Sequence, residues 1–278
     1  MKAFPGEMID FEIDSDGGSE FDSYKVLKGP TDTDPLSCGK TIKTVEKPHT
    51  VKITLKVTAM DLIPYIIMAS STSTYTPGTT QHPISIGAMM GEKFCLVKGC
   101  VLKNHEVNFK DRKSVGELTL ELSGVERTDW GSDYIGSGSH ASAGTAEPLK
   151  LSDVTNILYD GSALSAVDLI LDSLKFSVKN NIEEIRDGSA SVDSQISAWN
   201  YTGREISVEL GCTLTDMTIA DEVLAGNNDH TVAFTVDGKT YTISAIAWTN
   251  APTAKASAGE LIAMNLTNDA EAARLAIA

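Results

Sequence analysis

The strongest constraint on the fold is a repeated alternation of apolar and polar residues. In residues 51–57 every second residue is valine, isoleucine or leucine, and lysine or threonine lies between them. Residues 117–124 and 204–214 show the same pattern. Successive side chains of a strand point to opposite faces of a sheet, so the pattern predicts strands with one buried and one solvated face. We therefore expect mainly antiparallel β structure.

Turn and helix signals complete the predicted fold class. Asp237-Gly238 separates two alternating stretches and suits a type I′ hairpin turn. Residues 60–70 predict a short helix, with Asp61 as N-cap and Pro64 in the first turn. Weaker helical patterns occupy residues 151–161 and 218–226. The fold class we predict is mainly β, an antiparallel β-sandwich or barrel with one short packed α-helix, long loops and an N-terminal arm.

Two regions lack the strand pattern. The first 36 residues carry nine acidic residues against three lysines, which predicts that residues 1–48 form an acidic N-terminal arm. Residues 130–148 are rich in glycine, serine and alanine and predict a flexible loop. The remaining chain, residues 49–278, is then one β-sandwich domain that contains this loop.

Two stretches on either side of the loop resemble each other. Each contains a strand, a Lys-Asn pair at residues 103–104 or 179–180, a polar stretch with aspartate, and a second strand that follows a glycine. We interpret them as two similar hairpins, one in each sheet of a sandwich. The strand that contains Leu174, Phe176 and Val178 is expected to end near Asn180 and to continue as an exposed polar tip up to Gly188.

Charge and hydropathy exclude several classes of protein. The formal net charge is −15, which argues against tight binding of nucleic acid because such binding needs clustered lysine and arginine. The first residues lack an apolar leader core, and no stretch reaches the ~18 apolar residues of a membrane span. We expect no membrane segment and synthesis in the cytoplasm. The four cysteines have no paired spacing and are expected to be buried thiols.

No motif for catalysis or metal binding is complete. Residues 34–41 resemble a phosphate-binding loop, but Asp34 stands where that loop needs its first glycine. The five histidines are scattered and lack the spacing of a metal site. Catalysis needs converging reactive groups, so we expect no enzymatic activity, no cofactor and no metal site.

Several stretches resemble the bacteriophage tail tube (major tail) protein family. "LDSLKFSVKNNIEEI" is followed by "GREISVELGCTLTD" and then by "MTIADEVLAG", which is similar to the family's paired strands and the short segment after them. "VTAMDLIPYIIMAS", "VKGCVLKNHEVNF" and "AGELIAMNLT" are also similar to family segments. The resemblance covers roughly residues 50 to 125 and 168 to 270. It does not extend to the acidic arm or to the loop 130–148.

The resemblance implies a structural virion protein. Its subunits would form hexameric rings, and the rings would stack into a tail tube, the conduit for viral DNA ejection. The implied partners are further copies of the chain, other tail proteins and viral DNA that passes through the lumen without tight binding. The acidic composition fits this expectation because an acidic wall does not retain a polyanion. The implied location is the tail of the virion.

A second hypothesis stays open at this point. The chain could instead be a β-sandwich binding module of a virion, either a decoration domain or a domain that binds a receptor or glycan. Such a module would use loop aromatics, for which the candidates are Trp130, Tyr134, Trp199 and Tyr201.

The candidates for the assembly interface are polar residues near the two Lys-Asn pairs. They are Asn180, Asn181, Glu183, Glu184, Arg186, Asp187, Asn104, Lys110, Asp111 and Arg112.

Overall fold

The fold is described from a computed structural model of the 278-residue chain. The described residues are 8–13, 19–27, 39–46, 48–60, 62–90, 93–127, 147–167, 169–186, 196–214, 219, 221–222, 225–226, 229–249 and 262–278. Most of the predicted loop 130–148 and the aromatic residues Trp130 and Tyr134 lie outside these ranges.

Antiparallel strands make up most of the described residues, which confirms the predicted mainly-β class. Sixteen strands and one short α-helix have described bounds, and the described residues Ile219, Asp221 and Glu222 are helical too. The helix α1 is Ile63–Ile66, and the strands are β1 Met8–Ile13, β2 Ser19–Leu27, β3 Gly39–Glu46, β4 His49–Lys56, β5 Ile84–Met90, β6 Lys93–Phe109, β7 Glu117–Gly124, β8 Glu126–Arg127, β9 Thr155–Tyr159, β10 Ser162–Ala163, β11 Leu169–Arg186, β12 Ile196–Leu214, β13 His230–Val236, β14 Lys239–Ile246, β15 Ile262–Thr267 and β16 Arg274–Ile277.

The strands form two larger sheets and one separate hairpin. A nine-stranded sheet has the order β1-β4-β7-β6-β11-β12-β15, with β5 and β8 pairing to β6. A five-stranded sheet has the order β10-β9-β13-β14-β16, and β2 pairs with β3 alone. The two larger sheets share one hydrophobic core. The Phe176 ring of the first sheet lies 5.6 Å from the Phe234 ring and 5.7 Å from the Tyr241 ring of the second.

The predicted burial pattern is confirmed in the central strands. β4 and β7 bury every second side chain along most of their length. In β12 the side chains of Val208 and Leu210 are fully buried, whereas Ser207 and Glu209, which alternate with them, are partly exposed. The alternation follows the pleat, because the apolar face packs on the core and the polar face remains in water.

The predicted hairpin turn and helix are also present. Asp237 and Gly238 join β13 to β14 with φ angles of 51° and 68°, as a type I′ turn requires. The helix α1 begins after Leu62 as N-cap, so the predicted N-cap Asp61 was wrong. The helix has Pro64 in its first turn and is only one turn long. In the second, weaker helical candidate, a single 3₁₀ turn at Leu151–Asp153 is followed by strand β9, so the helical pattern does not extend to residue 161.

The N-terminal region contributes a strand to the larger sheet. β1 pairs antiparallel with β4, with Ile13 opposite Val51, and so forms one edge of the nine-stranded sheet. The hairpin of β2 and β3 comes from the same region. Residues 1–48 therefore include more regular structure than an acidic arm implies.

The two similar hairpins do not lie in opposite sheets, so that prediction was wrong. β6–β7 and β11–β12 are both in the nine-stranded sheet, and β6 pairs directly with β11. Their Lys-Asn pairs are neighbours in this pairing, since Lys179 is the partner of Asn104. Alternation shows which side chains are buried but does not identify the neighbouring strand, and therefore cannot assign a hairpin to a sheet.

Candidate assembly surface

The predicted interface residues fall into two separate groups. Asn104 on β6 and Asn180, Asn181 and Glu183 on β11 lie around one cleft. Lys110, Asp111 and Arg112 lie in the loop that follows β6, beyond Phe109. Glu184 and the backbone of Arg186 belong to the last residues of β11, whereas Asp187 lies outside the described residues.

Asn180 is buried, contrary to the predicted exposed tip. The strand β11 continues through it to Arg186, and the Asn180 side chain is only 2% exposed. Its amide nitrogen donates to the carbonyl oxygen of Ile66 at 2.6 Å and also contacts the Leu102 carbonyl at 3.4 Å. Its amide oxygen accepts a hydrogen bond from Nε of Arg204 at 3.0 Å. The polar residue is tolerated in the sheet because these bonds satisfy its amide group.

Arg204 extends this network to the loop after the helix. Its terminal nitrogen donates to the Gly78 carbonyl at 3.2 Å, and its guanidinium carbon lies 5.5 Å from the centre of the Tyr201 ring. Burial is the main reason that the pKa of Arg204 is lowered from its usual value. The network joins helix α1, the loop at Gly78 and strands β6, β11 and β12 at one point.

The sheet divides at this point. β6 and β11 pair only as far as Asn104 and Lys179, and further along β6 pairs with β5 instead. The register shifts in the β6–β7 pairing at Lys103 and in the β11–β12 pairing at Thr202. Such bulges bend a strand and re-aim its side chains. Beyond the division, Asn181–Arg186 of β11 and Ile196–Gly203 of β12 continue as a two-stranded segment, which we call the ribbon.

One face of the ribbon packs on the domain. A small apolar cluster holds this face, and Trp199, 8% exposed, is its largest side chain. The Trp199 indole nitrogen donates to the Gly99 carbonyl at 3.2 Å, and its own carbonyl accepts a hydrogen bond from Gln81 at 2.9 Å. A two-stranded hairpin is only marginally stable alone, so these contacts fix the ribbon in place. The cluster consists of Met68, Val101, Ile182, Ile196 and Trp199.

The other face of the ribbon is open to solvent. Asn181, Glu183, Ala198 and Asn200 are exposed there. Ile185 is 45% exposed, and large apolar side chains are rarely so accessible in the described residues. A mainly polar strip with one exposed isoleucine suits a contact surface that is soluble before assembly.

A shallow cleft of about 240 Å³ lies where the sheet divides. Lys179 in this cleft pairs with Glu205 at 3.2 Å, and Asn181 donates to the same carboxylate at 2.9 Å. The Asn181 hydrogen bond, followed by the contact with Lys179, keeps the pKa of Glu205 below its usual value. The side chains that line the cleft include Lys103, Asn104, Glu121, Lys179, Asn181 and Glu183.

The loop between β6 and β7, which includes Lys110–Ser114, is held by Asp111. The Asp111 carboxylate accepts hydrogen bonds from the backbone nitrogens of Lys113 and Ser114, both at 2.7 Å, and from the Ser114 hydroxyl at 2.6 Å. The hydroxyl bond is the main reason that the pKa of Asp111 is lowered. This pattern is typical of a turn that is stabilised by an aspartate side chain.

Two of the three cations in this loop already have partners. Lys110 pairs with Glu117 at 2.7 Å, and Arg112 donates to the Leu171 carbonyl at 2.9 Å and lies 3.4 Å from Asp172. Lys113 is exposed and makes no ion pair with any described residue. The loop therefore presents one cation from a well-ordered turn.

The described residues show no reactive cluster. Groups of three or more histidine, cysteine, aspartate or glutamate residues that could hold a metal ion do not occur among them. His230 and Asp160 form a close pair at 2.7 Å, but the same aspartate also accepts the Thr231 backbone nitrogen, which suits a structural role. No helix in the described ranges is long and apolar enough to cross a membrane. Cys95, Cys100 and Cys212 are buried.

The importance of the Asn180 network can be measured directly. We expect Asn180→Ala to lower the free energy of unfolding by about 2 kcal/mol, because the buried Ile66 carbonyl and the Arg204 guanidinium each lose a hydrogen-bond partner. Chemical denaturation would measure this loss. Asn200→Ala is the matched control, since this ribbon asparagine is exposed and should change stability by less than about 0.5 kcal/mol. Equal effects of the two substitutions would contradict the assigned role.

Some residues of this surface were not among the predicted candidates. Lys103, Glu121, Lys179 and Thr202 line the cleft, yet only the repeated Lys-Asn pairs gave a signal for this region. Those pairs mark the two sides of the division between β6 and β11. A comparison of the sequence with protein-family models found no match, and a comparison with curated proteins found none either.

Proposed function

We propose that this chain is a structural subunit of a bacteriophage tail tube. Copies would form hexameric rings, and the rings would stack into the conduit for viral DNA in the tail of the virion, alongside other tail proteins. Two observations support the proposal. The sequence resembles the tail tube family over two long segments, which implies a β-sandwich subunit, and the chain folds as an antiparallel β-sandwich with one short helix.

The ribbon is the observation on which the proposal chiefly depends. β11 and β12 have 18 and 19 residues, and β11 leaves β6 after Lys179. The ribbon residues Asn181–Arg186 extend roughly 20 Å further at the usual rise of a strand. One ribbon face is fixed to its own subunit while the other stays exposed, an arrangement suited to contact with a neighbour.

The outer face of the nine-stranded sheet suits the wall of a DNA conduit. Its central strands carry cross-strand pairs of opposite charge. Lys175 lies 3.3 Å from Glu106 and 3.6 Å from Glu209, and Lys179 lies 3.2 Å from Glu205. Exposed pairs of this kind add little stability, but they neutralise Lys175 and Lys179. DNA binds tightly to clusters of unpaired lysine and arginine, so this face would let a polyanion pass.

The alternative of a virion binding module has less support. Of its four candidate loop aromatics, Trp199 is buried in the apolar cluster beneath the ribbon. The Tyr201 ring packs against the Arg204 guanidinium on the same strand. Trp130 and Tyr134 lie outside the described residues. No aromatic platform for a glycan is assembled from the two described residues.

Self-assembly of the purified protein tests the proposal. We expect rings or hollow tubes in negative-stain micrographs and a rise in scattered light as the protein concentration increases. The lag before assembly should become shorter when tail-tip proteins are added as initiators, because formation of a first ring is then no longer required. A protein that stays monomeric at every concentration, with and without such initiators, would contradict the proposed function.

A further inference from the structure

We propose that the cleft beside the ribbon receives the β6–β7 loop of a second copy of this chain, with Lys113 of one copy placed between Glu121 and Glu183 of the next. The inference rests on the proposed self-assembly and adds the pair of surfaces that would meet. Two different patches of one chain would then be in contact. Such a heterologous contact builds rings or continuous stacks rather than closed two-fold dimers.

The charge of the cleft is the first argument. Lys179 forms an ion pair with Glu205. The other charged residues that line the cleft are Lys103, Glu121 and Glu183, and none of them makes an ion pair with a described residue. The excess negative charge suits a basic partner. Asn104 and Asn181 add amide groups that can hydrogen-bond either to a cation or to a backbone.

The size of the cleft is the second argument. Its volume of about 240 Å³ is below the ~300–1,000 Å³ of sites that bury a small molecule, and it is open to solvent. A cleft of this size accepts one or two side chains of a protein partner. The exposed ribbon face beside it would extend the contact, with Ile185 as its apolar part.

The order of the loop is the third argument. Three hydrogen bonds to Asp111 hold the turn, and Lys110 and Arg112 are engaged with Glu117 and Asp172. Lys113 is exposed in this turn and forms no ion pair with a described residue, so its charge is left for a partner. A loop that is already ordered loses little conformational entropy on binding, which favours association.

The contact cannot form within one subunit. Phe109, at the base of the loop, lies opposite Leu174, whereas Asn104, at the cleft, lies opposite Lys179. Five residues of extended strand separate these levels, roughly 17 Å. Glu183 is four residues further along β11. These separations are greater than a lysine side chain can span, so the two patches are available to different copies.

Zero-length cross-linking tests the contact. Unlabelled and ¹⁵N-labelled protein would be mixed, treated with a carbodiimide and digested, and the cross-linked peptides identified by mass spectrometry. We expect mixed-isotope peptides that join Lys113 to Glu121 or Glu183. Lys113→Glu should raise the protein concentration needed for assembly by about tenfold or more, because like charges would then face each other. Combining Lys113→Glu with Glu183→Lys should restore most of the assembly.

Matched controls and outcomes separate this inference from the proposed function. Arg274→Glu and Glu271→Lys change charge equally at exposed positions near β16 and should leave the assembly concentration unchanged. Melting curves would confirm that every variant is folded.

Tubes that form without the Lys113 cross-link, and that tolerate Lys113→Glu, would overturn the contact and leave the tail tube proposal standing. The cross-link in small oligomers that never form tubes would support the contact and contradict the tube. A monomer without intermolecular cross-links would overturn both.

Discussion

Leu210→Asp is expected to abolish folding, with the variant recovered as insoluble protein or without a cooperative melting transition. Leu210 is fully buried in β12 and lies between Leu174 of β11 and Leu266 of β15. A carboxylate at this position would have no partner in an apolar core. The cost is several kcal/mol even if the group is protonated, and total stabilities of domains are only ~5–15 kcal/mol. Soluble yield and thermal melting by circular dichroism measure the result.

Two further variants make this expectation specific to the register of β12. Ser207→Asp introduces the same group on the outer face of the same strand and should melt within a few degrees of the native protein. Leu210→Ala creates a cavity and should cost about 2–5 kcal/mol while the fold is retained. A soluble Leu210→Asp variant that melts cooperatively would show that the assigned faces of β12 are exchanged.

Local signals predicted much of the fold. Alternation identified the buried faces of β4, β7 and β12, because the period of two follows directly from strand geometry. The Asp237-Gly238 pair identified a turn whose positive φ angles few other residues adopt. In both cases the determining interactions lie within a few residues of one another, which is why the sequence was sufficient.

Long-range contacts account for the errors. Asparagine is disfavoured in strands, so the sequence predicts a strand end at Asn180. In the structure its amide reaches the Ile66 carbonyl, which lies 114 residues away in the sequence. The placement of β6–β7 beside β11–β12 likewise depends on pairing between distant segments. A single sequence contains no signal for either contact.

The candidate surface was predicted in part for the same reason. The two Lys-Asn pairs were recognised as a repeat, and their adjacency across β6 and β11 emerged only from the strand pairing. Lys103 and Thr202 occupy bulges, which depend on how two strands match in register rather than on either strand alone. Cleft residues at such positions interrupt the alternation of a strand, so a search for alternating residues does not identify them.

Acid is expected to destabilise the protein through His105, well above the pH at which most carboxylates titrate. His105 is fully buried between Leu120 and Val178, and neither ring nitrogen has a hydrogen-bond partner in the described part of the chain. Burial lowers the pKa of His105 from 6.5 to about 4. Above pH 6.5 both the folded and unfolded chains hold the neutral ring. As the pH falls from 6.5 towards 4, the unfolded chain binds a proton that the folded chain rejects, so the free energy of unfolding decreases by about 3 kcal/mol in total.

His105→Leu should remove this dependence, because leucine cannot bind a proton and places no unpaired ring nitrogen between Leu120 and Val178. Urea denaturation at several pH values between 7 and 5 measures the slope in a window above the range where carboxylates such as Glu205, with its lowered pKa, gain protons. Val107→Ala on the same strand is the control, since it should reduce stability at every pH without changing the slope. A slope that persists in His105→Leu would assign the acid sensitivity to another group. A flat profile in the native protein would mean that His105 has access to water or to a partner, and that the core around β6 is less closed than its burial indicates.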